Sequence, residues 1–502
     1  MALADEPHLA RAASETRIPL GARLSYGIGS ISTAVKNAAF GYLLLYYNQV
    51  VGIPATIVST AIAATLIIDA LVDPFLGRWS DMTRSRFGRR HPFIIGSALP
   101  TAIFFLMIWH APAALSDFQT GLWIFGTAAL TRVAVSAYDV PSTAMVPELT
   151  EDYAQRTQLF SLRFWFGYVG TFAFVAFSLT FFFVETEQFP VGQLNPEGYA
   201  KFAAAGAISM FLAILICGFG TASQIPKLRA ASTASEPMSL QTHLAEVFTA
   251  FRHRGFLAIF GFGVLKFTAI GLASATALYF NTYIYDLGAK QIAVLAFEAV
   301  TSATLAAPLA SRFSHWLGKK RTAMVMAIAG ILISLAPLIL FYFGLFLPQG
   351  HPLVVPVLLI TGTIGGSMIA ISLINTSSML ADVVTDYAAQ TGKQLSGVFF
   401  SASSFMQQCS AALGVFFAGF VLNASAFPEK ASPAEVSEAS ELALVAHYVP
   451  TVLALWLLGV LFLLFYNIDQ NRHRANVARL AELAAERRAR ELQDVGATPT
   501  RL

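Results

Sequence analysis

The chain has 502 residues, 56% of them hydrophobic and only 12% Asp, Glu, Lys or Arg. A soluble domain carries about twice that charge density, so a water-soluble globule is excluded and much of the surface is expected to face lipid. The net charge of +3 singles out no partner by itself, and Cys217 and Cys409, far apart in apolar runs, argue against a disulfide framework.

The first twenty or so residues are polar and lack the apolar core of a cleavable signal peptide, so the first span is expected to act as an uncleaved insertion signal. Segments long enough to cross about 30 Å of hydrocarbon run over 25–50, 57–79, 92–111, 119–146, 158–184 and 203–224. The first carries Lys36 roughly 18 Å along its axis at 1.5 Å per residue. The second carries Asp69 and Asp73, which share one helix face at i,i+4, with Pro74 free to bend the helix. The fourth carries Tyr138 and Asp139 ahead of Pro141, read as a turn-breaking residue. The fifth opens with Arg163, Phe164 and Trp165.

A polar stretch over 225–254 follows, then spans at 256–285, 290–314, 322–346, 353–380, 395–423 and 444–467. The seventh carries Lys266 roughly 15 Å in, the eighth Glu298 and the eleventh Gln408. The tail from Asn471 to Leu492, rich in Ala, Arg, Glu and Leu, reads as a polar or interfacial helix. These segments divide the chain into an N-terminal six-helix half (1–224), a linker (225–254), a C-terminal six-helix half (255–467) and a helical tail (468–502).

The loops give orientation. Arg78, Arg84, Arg86, Arg89 and Arg90, then Arg252 and Arg254, then Lys319, Lys320 and Arg321 lie on one alternating set, whereas 50–56 and 112–118 have no base. Bases stay on the cytoplasmic side during insertion, so both termini are predicted to be inside, in a plasma or inner membrane. A weak repeat links the halves: Tyr46-Tyr47-Asn48 closes the first span and Tyr279-Phe280-Asn281 the seventh. Parallel repeats of this kind predict two pseudo-symmetric bundles around a midplane site.

An ionisable group at membrane depth costs on the order of 2.5–3.5 kcal/mol on insertion scales, so each needs a reason. Asp69 and Asp73 cannot both stay ionised side by side in low dielectric without a cation, so they are expected to bind one or share a proton. A single such residue is as well explained by helix-to-helix pairing. The whole set at one depth is better explained by a site, and a lysine in each half would complement an anionic solute.

The run Asp69-Ala-Leu-Val-Asp73-Pro74-Phe-Leu-Gly77, with Asp81, Arg84 and Gly88-Arg89-Arg90-His91-Pro92, resembles the glycoside–pentoside–hexuronide:cation symporters of the major facilitator superfamily. Arg23-Leu24-Ser25-Tyr26-Gly27 and Tyr46-Tyr47 with Val50-Val51-Gly52 are similar to that family's first span. Asp139-Val140-Pro141 with Val146-Pro147 and Arg156-Thr157-Gln158, and Met379-Leu380-Ala381-Asp382 with Thr391-Gly392-Lys393, are similar to its later segments.

The resemblance covers about 20 to 467 and implies an all-α membrane protein of twelve helices with the major facilitator fold. It implies cation-coupling carboxylates at Asp69 and Asp73, substrate contacts at Asp139 and Arg163, and a cytoplasmic gate from Asp81, Arg84, Arg89, Arg90, Asp382 and Lys393. Lys36, Lys266, Gln408, Trp165 and Tyr138 join the expected substrate residues, and Glu298 is an extra proton-site candidate. The family's first-span aspartate, second-span amide and eleventh-span lysine correspond to Ala34, Val72 and Gln408. Losing an oxygen ligand at Val72 favours a proton over sodium, and losing the acid at Ala34 favours an anionic sugar derivative over a neutral galactoside.

Catalysis finds no support: His91, His110, His243, His253, His315 and His351 show no metal-ligand spacing, and Thr391-Gly392-Lys393 lacks the upstream glycine of a phosphate loop. A lysolipid or other amphipathic-solute carrier on the same scaffold, or a non-transporting sensor, are the alternatives. The expected partners are a small-molecule substrate and membrane lipids, with no nucleic acid, no metal and no cofactor beyond a coupling H+ or Na+, and the carrier is expected to act as a monomer.

Overall fold

The computed structural model describes residues 18–150, 152–226, 251, 253–392 and 395–482. The first seventeen residues, most of the 225–254 linker, Lys393 and the tail beyond 482 lie outside them. Twelve long helical segments alternate between two faces. In the first half they are α1 (Leu20–Phe40, continued by Leu43–Leu45 and Tyr46–Val51), α2 (Ala55–Met82), α3 (His91–Ile108), α4 (Asp117–Leu149), α5 (Tyr153–Phe181) and α6 (Pro196–Gly220). In the second they are α7 (Arg254–Tyr279, continued by Phe280–Ile284), α8 (Ala289–Leu295 and Phe297–Leu317), α9 (Lys319–Tyr342), α10 (Val354–Thr391), α11 (Ser396–Ala424) and α12 (Glu438–Leu463). Helices satisfy their own backbone groups, which is what hydrocarbon demands of a spanning segment.

Ten of these are long and apolar enough to cross a membrane; α1 and α4 are the two that are not. Both spend inward-facing positions on polar side chains, Ser30, Ser32, Thr33 and Lys36 in α1 and Thr127, Thr131, Arg132 and Ser136 in α4. The lipid-side faces carry exposed Leu71, Ile103, Leu122, Phe219, Leu332, Ile360, Phe420 and Leu461.

The packing repeats. In the first half α1 lies on α5 and α6, α2 on α4, and α3 on α4 and α6; in the second α7 lies on α11 and α12, α8 on α10, and α9 on α10 and α12. Adding six to each helix number converts one set into the other, which is the pseudo-symmetry the sequence repeat predicts. The halves meet through α2 against α11 and α5 against α8.

Pro141 does not break the fourth helix, contrary to the sequence expectation. The helix runs on to Leu149 through both Pro141 and Pro147. Packing of α2 and α3 against α4 holds its course. Such support is how membrane helices tolerate proline.

We call the face carrying Leu20 and Leu463 the terminal face and the opposite one the distal face. The halves are joined at the distal face by neutral hydrogen bonds. Tyr279 OH donates to Asn48 Oδ1 (2.9 Å) and Tyr283 OH to Gln49 Oε1 (3.0 Å). Gln49 Nε2 donates to Pro428 O (2.9 Å), and Gln193 Nε2 to Thr282 Oγ1 (3.0 Å). The repeated segments at the ends of α1 and α7, both wound as π-helix, thus face each other. Below them α11 approaches α2 so closely at Gly419 that a Cβ there would lie 2.8 Å from Ala55 O.

Candidate functional site

Three helices of the first half converge on Asp69. Arg132 Nη1 from α4 donates to its Oδ2 at 3.3 Å, Lys36 Nζ from α1 stands 3.8 Å from the same oxygen, and Ser136 Oγ donates to Oδ1 at 3.0 Å. Arg132 is anchored further: its Nε donates to Thr65 Oγ1 at 3.0 Å, and its guanidinium lies 4.3 Å from the centre of the Phe40 ring. Thr65 and Asp69 share a face of α2 one turn apart, as do Arg132 and Ser136 on α4. Helical spacing alone therefore aligns two donors of α4 with two acceptors of α2.

Asp73, one turn further along α2, is in a different position. Its nearest polar neighbours are Ser136, Asp69, Lys36 and Gln408. Its Oδ1 is buried without a hydrogen-bond partner, and so is Gln408 Oε1 on α11. Each of these oxygens keeps acceptor capacity that a proton or a cation reaching it would engage.

A second charged group lies nearer the terminal face. Arg163 of α5 donates through Nη2 to Asp139 Oδ1 at 2.5 Å and through Nη1 to Ser142 Oγ at 3.1 Å. Thr33 Oγ1 of α1 donates to the same aspartate oxygen at 2.7 Å, and the guanidinium lies 5.9 Å from the Tyr26 ring. Asp139 and Arg163 are thus joined, with Thr33 of α1 completing the group.

In the second half Lys266 is 3% exposed, with its Nζ 4.9 Å and 4.4 Å from the Phe262 and Phe267 rings. Among the described residues it has no acidic partner within ion-pair distance. The two lysines that look equivalent in sequence are therefore unlike: Lys36 stands beside Asp69, and Lys266 has no such acid beside it among the described residues.

Glu298 stands apart from both groups. It lines a cavity of about 490 Å³ whose walls include Tyr42, Phe280, Asn281, Tyr448 and Trp456. Tyr138 is fully buried in an apolar cluster with Tyr26, Ile94 and Cys217, with Arg163 and Asp139 as its charged neighbours. Trp165 is 57% exposed and stacks edge-on against Phe166, so the structure does not bring it to Arg163.

The charged residues of the terminal face pair within their own halves. Arg89 (2.6 Å) and Arg90 both bond Glu148, and Arg90 reaches Asp81 at 3.0 Å. Arg84 is exposed. Asp382 accepts from Lys319 (2.6 Å) and pairs with His473 (3.2 Å). Asp386, almost wholly buried, binds Arg472 through both oxygens (2.9 and 2.8 Å), Asn476 at 2.6 Å and His253 at 2.9 Å. These bonds tie the tail helix over 470–482 to α10.

Arg132, Thr65, Ser136, Thr33, Glu148 and Asp386 are absent from the sequence reading. Arg132 carries a signal that could have found it, since a basic residue in the middle of the fourth span meets the same cost argument as Lys36.

Comparison with known proteins agrees with this architecture. The family described as "MFS/sugar transport protein" matches residues 25–470. An uncharacterised symporter of Synechocystis sp. is 26% identical, covering 93% of this chain and 97% of the relative. An isoprimeverose transporter of Lactiplantibacillus pentosus is 25% identical, covering 90% of each. A sphingosine-1-phosphate transporter of Mus musculus is 24% identical over 81% of this chain and 82% of its own. Among solved structures, a nucleoside transporter superposes with a TM-score of 0.61 at 14% identity, over 90% of this chain and 99% of that one; this likeness speaks for the fold alone. With a repeat of six helices, a family match over nearly its whole length and multi-pass symporters as relatives, the chain is a membrane transporter rather than an enzyme, and it belongs to the MFS/sugar transport protein family, within the glycoside–pentoside–hexuronide:cation symporter group of the major facilitator superfamily.

Proposed function

We propose that this protein is a secondary active symporter that moves a sugar, glycoside or anionic sugar derivative together with a proton by alternating access. The observation that carries the reading is Asp73, whose Oδ1 is buried without a hydrogen-bond partner on a helix that packs against α11 of the other half, with Gln408 of that helix among its neighbours. A proton on Asp73 would remove its buried charge, and it would do so at the seam between the halves, where loading can bias their relative position. Asp69 and Asp73 form the coupling centre, with Val72 in place of the extra oxygen ligand that would favour sodium. Asp139, Arg163 and Lys266 are the substrate contacts, with Gln408 between substrate and coupling centre. The unpaired Lys266 supports an anionic substrate. Glu298, in its separate cavity, serves as a secondary proton site.

The terminal face is the cytoplasmic one, in a plasma or inner membrane, because it collects the bases of the alternating loops. The distal hydrogen bonds then close the outer side. Asp81, Arg84, Arg89, Arg90, Asp382 and Lys393 form the cytoplasmic gate; with that side open, Arg90 pairs with Asp81 and Glu148, and Asp382 with Lys319, each inside its own half. The working units are a half over 1–224, a linker over 225–254, a half over 255–467 and a tail over 468–502. The protein works as a monomer in lipid and needs no cofactor beyond the coupling ion. A lysolipid substrate is the second reading, favoured by the sphingosine-1-phosphate transporter among the relatives.

A thermal-shift panel of sugars, uronides, glycosides and lysolipids on purified protein identifies the class, since a ligand that binds the native state raises its apparent stability. Uptake of the hit into proteoliposomes in sodium-free buffer, with and without an imposed pH gradient, then tests coupling. Asp73→Asn is expected to abolish accumulation; uphill uptake retained by that variant removes Asp73 from coupling, and strict sodium dependence overturns the proton.

A further inference from the structure

We infer that Arg132 is a tethered cation occupying the place at Asp69 that a mobile sodium ion would take, and that its presence excludes sodium from this carrier and leaves Asp73 as the carboxylate that exchanges its ion. The inference deepens the transport reading above and rests on it only for the identity of the coupling centre.

The argument begins with what Asp69 still has to offer. A carboxylate is acceptor-only, with two oxygens. Oδ1 is engaged by Ser136 at 3.0 Å, and Oδ2 by Arg132 at 3.3 Å with Lys36 at 3.8 Å. The side chains of Asp69, Arg132 and Lys36 are 8%, 7% and 10% exposed, so water does little to screen them. Sodium arriving at Asp69 would meet two positive groups already on the oxygen it needs.

Lys36 alone would hold the place only loosely, because its ammonium stands 3.8 Å from Oδ2, beyond hydrogen-bond reach. A guanidinium keeps its charge in proteins. Arg132 is also held in place from three sides: by Asp69, by Thr65 at 3.0 Å and by the Phe40 ring at 4.3 Å. It cannot leave the site as a diffusing ion would, so the charge it supplies is constant through the cycle. Asp73 lies one turn away with an oxygen free and is the acid whose charge can change.

The test measures sodium binding directly. Melting of the purified full chain is followed in sodium chloride and in choline chloride at equal ionic strength, alongside binding of radioactive sodium. The unmodified protein is expected to show no sodium-specific stabilisation. Arg132→Gly combined with Lys36→Ala is expected to gain a saturable upward shift in melting temperature, lost again when Asp69→Asn is added. Arg132→Lys keeps a cation and is expected to remain indifferent to sodium. If the glycine variant does not fold, Arg132→Gln, which preserves bulk and the Thr65 contact, takes its place.

Sodium stabilisation of the unmodified protein that Asp69→Asn removes would overturn the inference. So would a folded Arg132→Gly/Lys36→Ala or Arg132→Gln/Lys36→Ala protein that ignores sodium. Failure of a pH gradient to drive uptake, with the sodium results as expected, would refute proton coupling and leave the role of Arg132 standing.

Discussion

Asp69→Asn should destabilise the protein by about 3–5 kcal/mol, the usual consequence of leaving buried charges uncompensated. The size follows from the geometry. With an effective dielectric of about 20, attraction across the 3.3 Å to Arg132 is about 5 kcal/mol, and across the 3.8 Å to Lys36 about 4 kcal/mol. Desolvation of all three groups and repulsion between the two cations offset part of this, so the net loss is smaller than the two attractions together. Unfolding entropy of about 2.1 cal/mol/K per residue over 502 residues makes each kcal/mol worth about 1 °C, so melting should fall by about 3–5 °C. The decisive assay is a double-mutant cycle on purified protein. Asp69→Asn with Arg132→Gln should lose less than the two single changes combined, by about 2 kcal/mol, because the second change removes the stranded charge. Additivity within about 0.5 kcal/mol, the behaviour of independent sites, would refute the view that Asp69 and Arg132 act as a pair.

Three further outcomes are expected. Lys266→Ala should weaken binding of an anionic substrate by about 30-fold or more, the cost of removing one partner of a buried charge contact, while a neutral analogue loses far less; equal losses in a binding titration would assign Lys266 to structure. Gly419→Val should force α11 away from Ala55, where even a Cβ would lie 2.8 Å from the carbonyl oxygen, and should raise labelling of a cysteine placed at Asn48 by a reagent added from the distal side. Asp386→Asn should free the tail helix, because charge-assisted hydrogen bonds of about 1.5–3 kcal/mol to Arg472 weaken, and limited trypsin digestion should then cut after Arg472 and Arg474 faster than in the unmodified protein.

The helices themselves were legible because hydrocarbon imposes a length and an uncharged composition on each. Partnership between helices was not. Lys36 and Lys266 occupy similar depths in corresponding helices, and nothing in their local sequence separates them. The difference comes from where the acids lie: Asp69 on α2 crosses beside α1, whereas Glu298 on α8 faces another cavity. Asp69 and Asp73 likewise read as a matched pair from their i,i+4 spacing. That reading passed over Arg132, which neutralises only the first of them. Adjacent helical residues point about 100° apart, so the Tyr138 ring packs in the apolar cluster while the Asp139 carboxylate meets Arg163.

The two ends of the molecule are held by different physics, and this bears on how it can alternate. At the distal face the halves share neutral hydrogen bonds among Asn48, Gln49, Tyr279 and Tyr283, each worth about 0.5–1.5 kcal/mol net. A handful of such bonds is a closure that can open without a large penalty. At the terminal face the strong charge pairs, Arg90 with Glu148 and Lys319 with Asp382, lie inside the halves. In the proposed gate, closing that face would have existing pairs exchange partners across the seam. Both states then keep their charges paired, so the difference between them stays small enough for events at the midplane to decide it. In the proposed coupling, charge on Asp73, at the α2–α11 seam with one oxygen unpartnered, tips that balance, because a change there is felt by both halves at once.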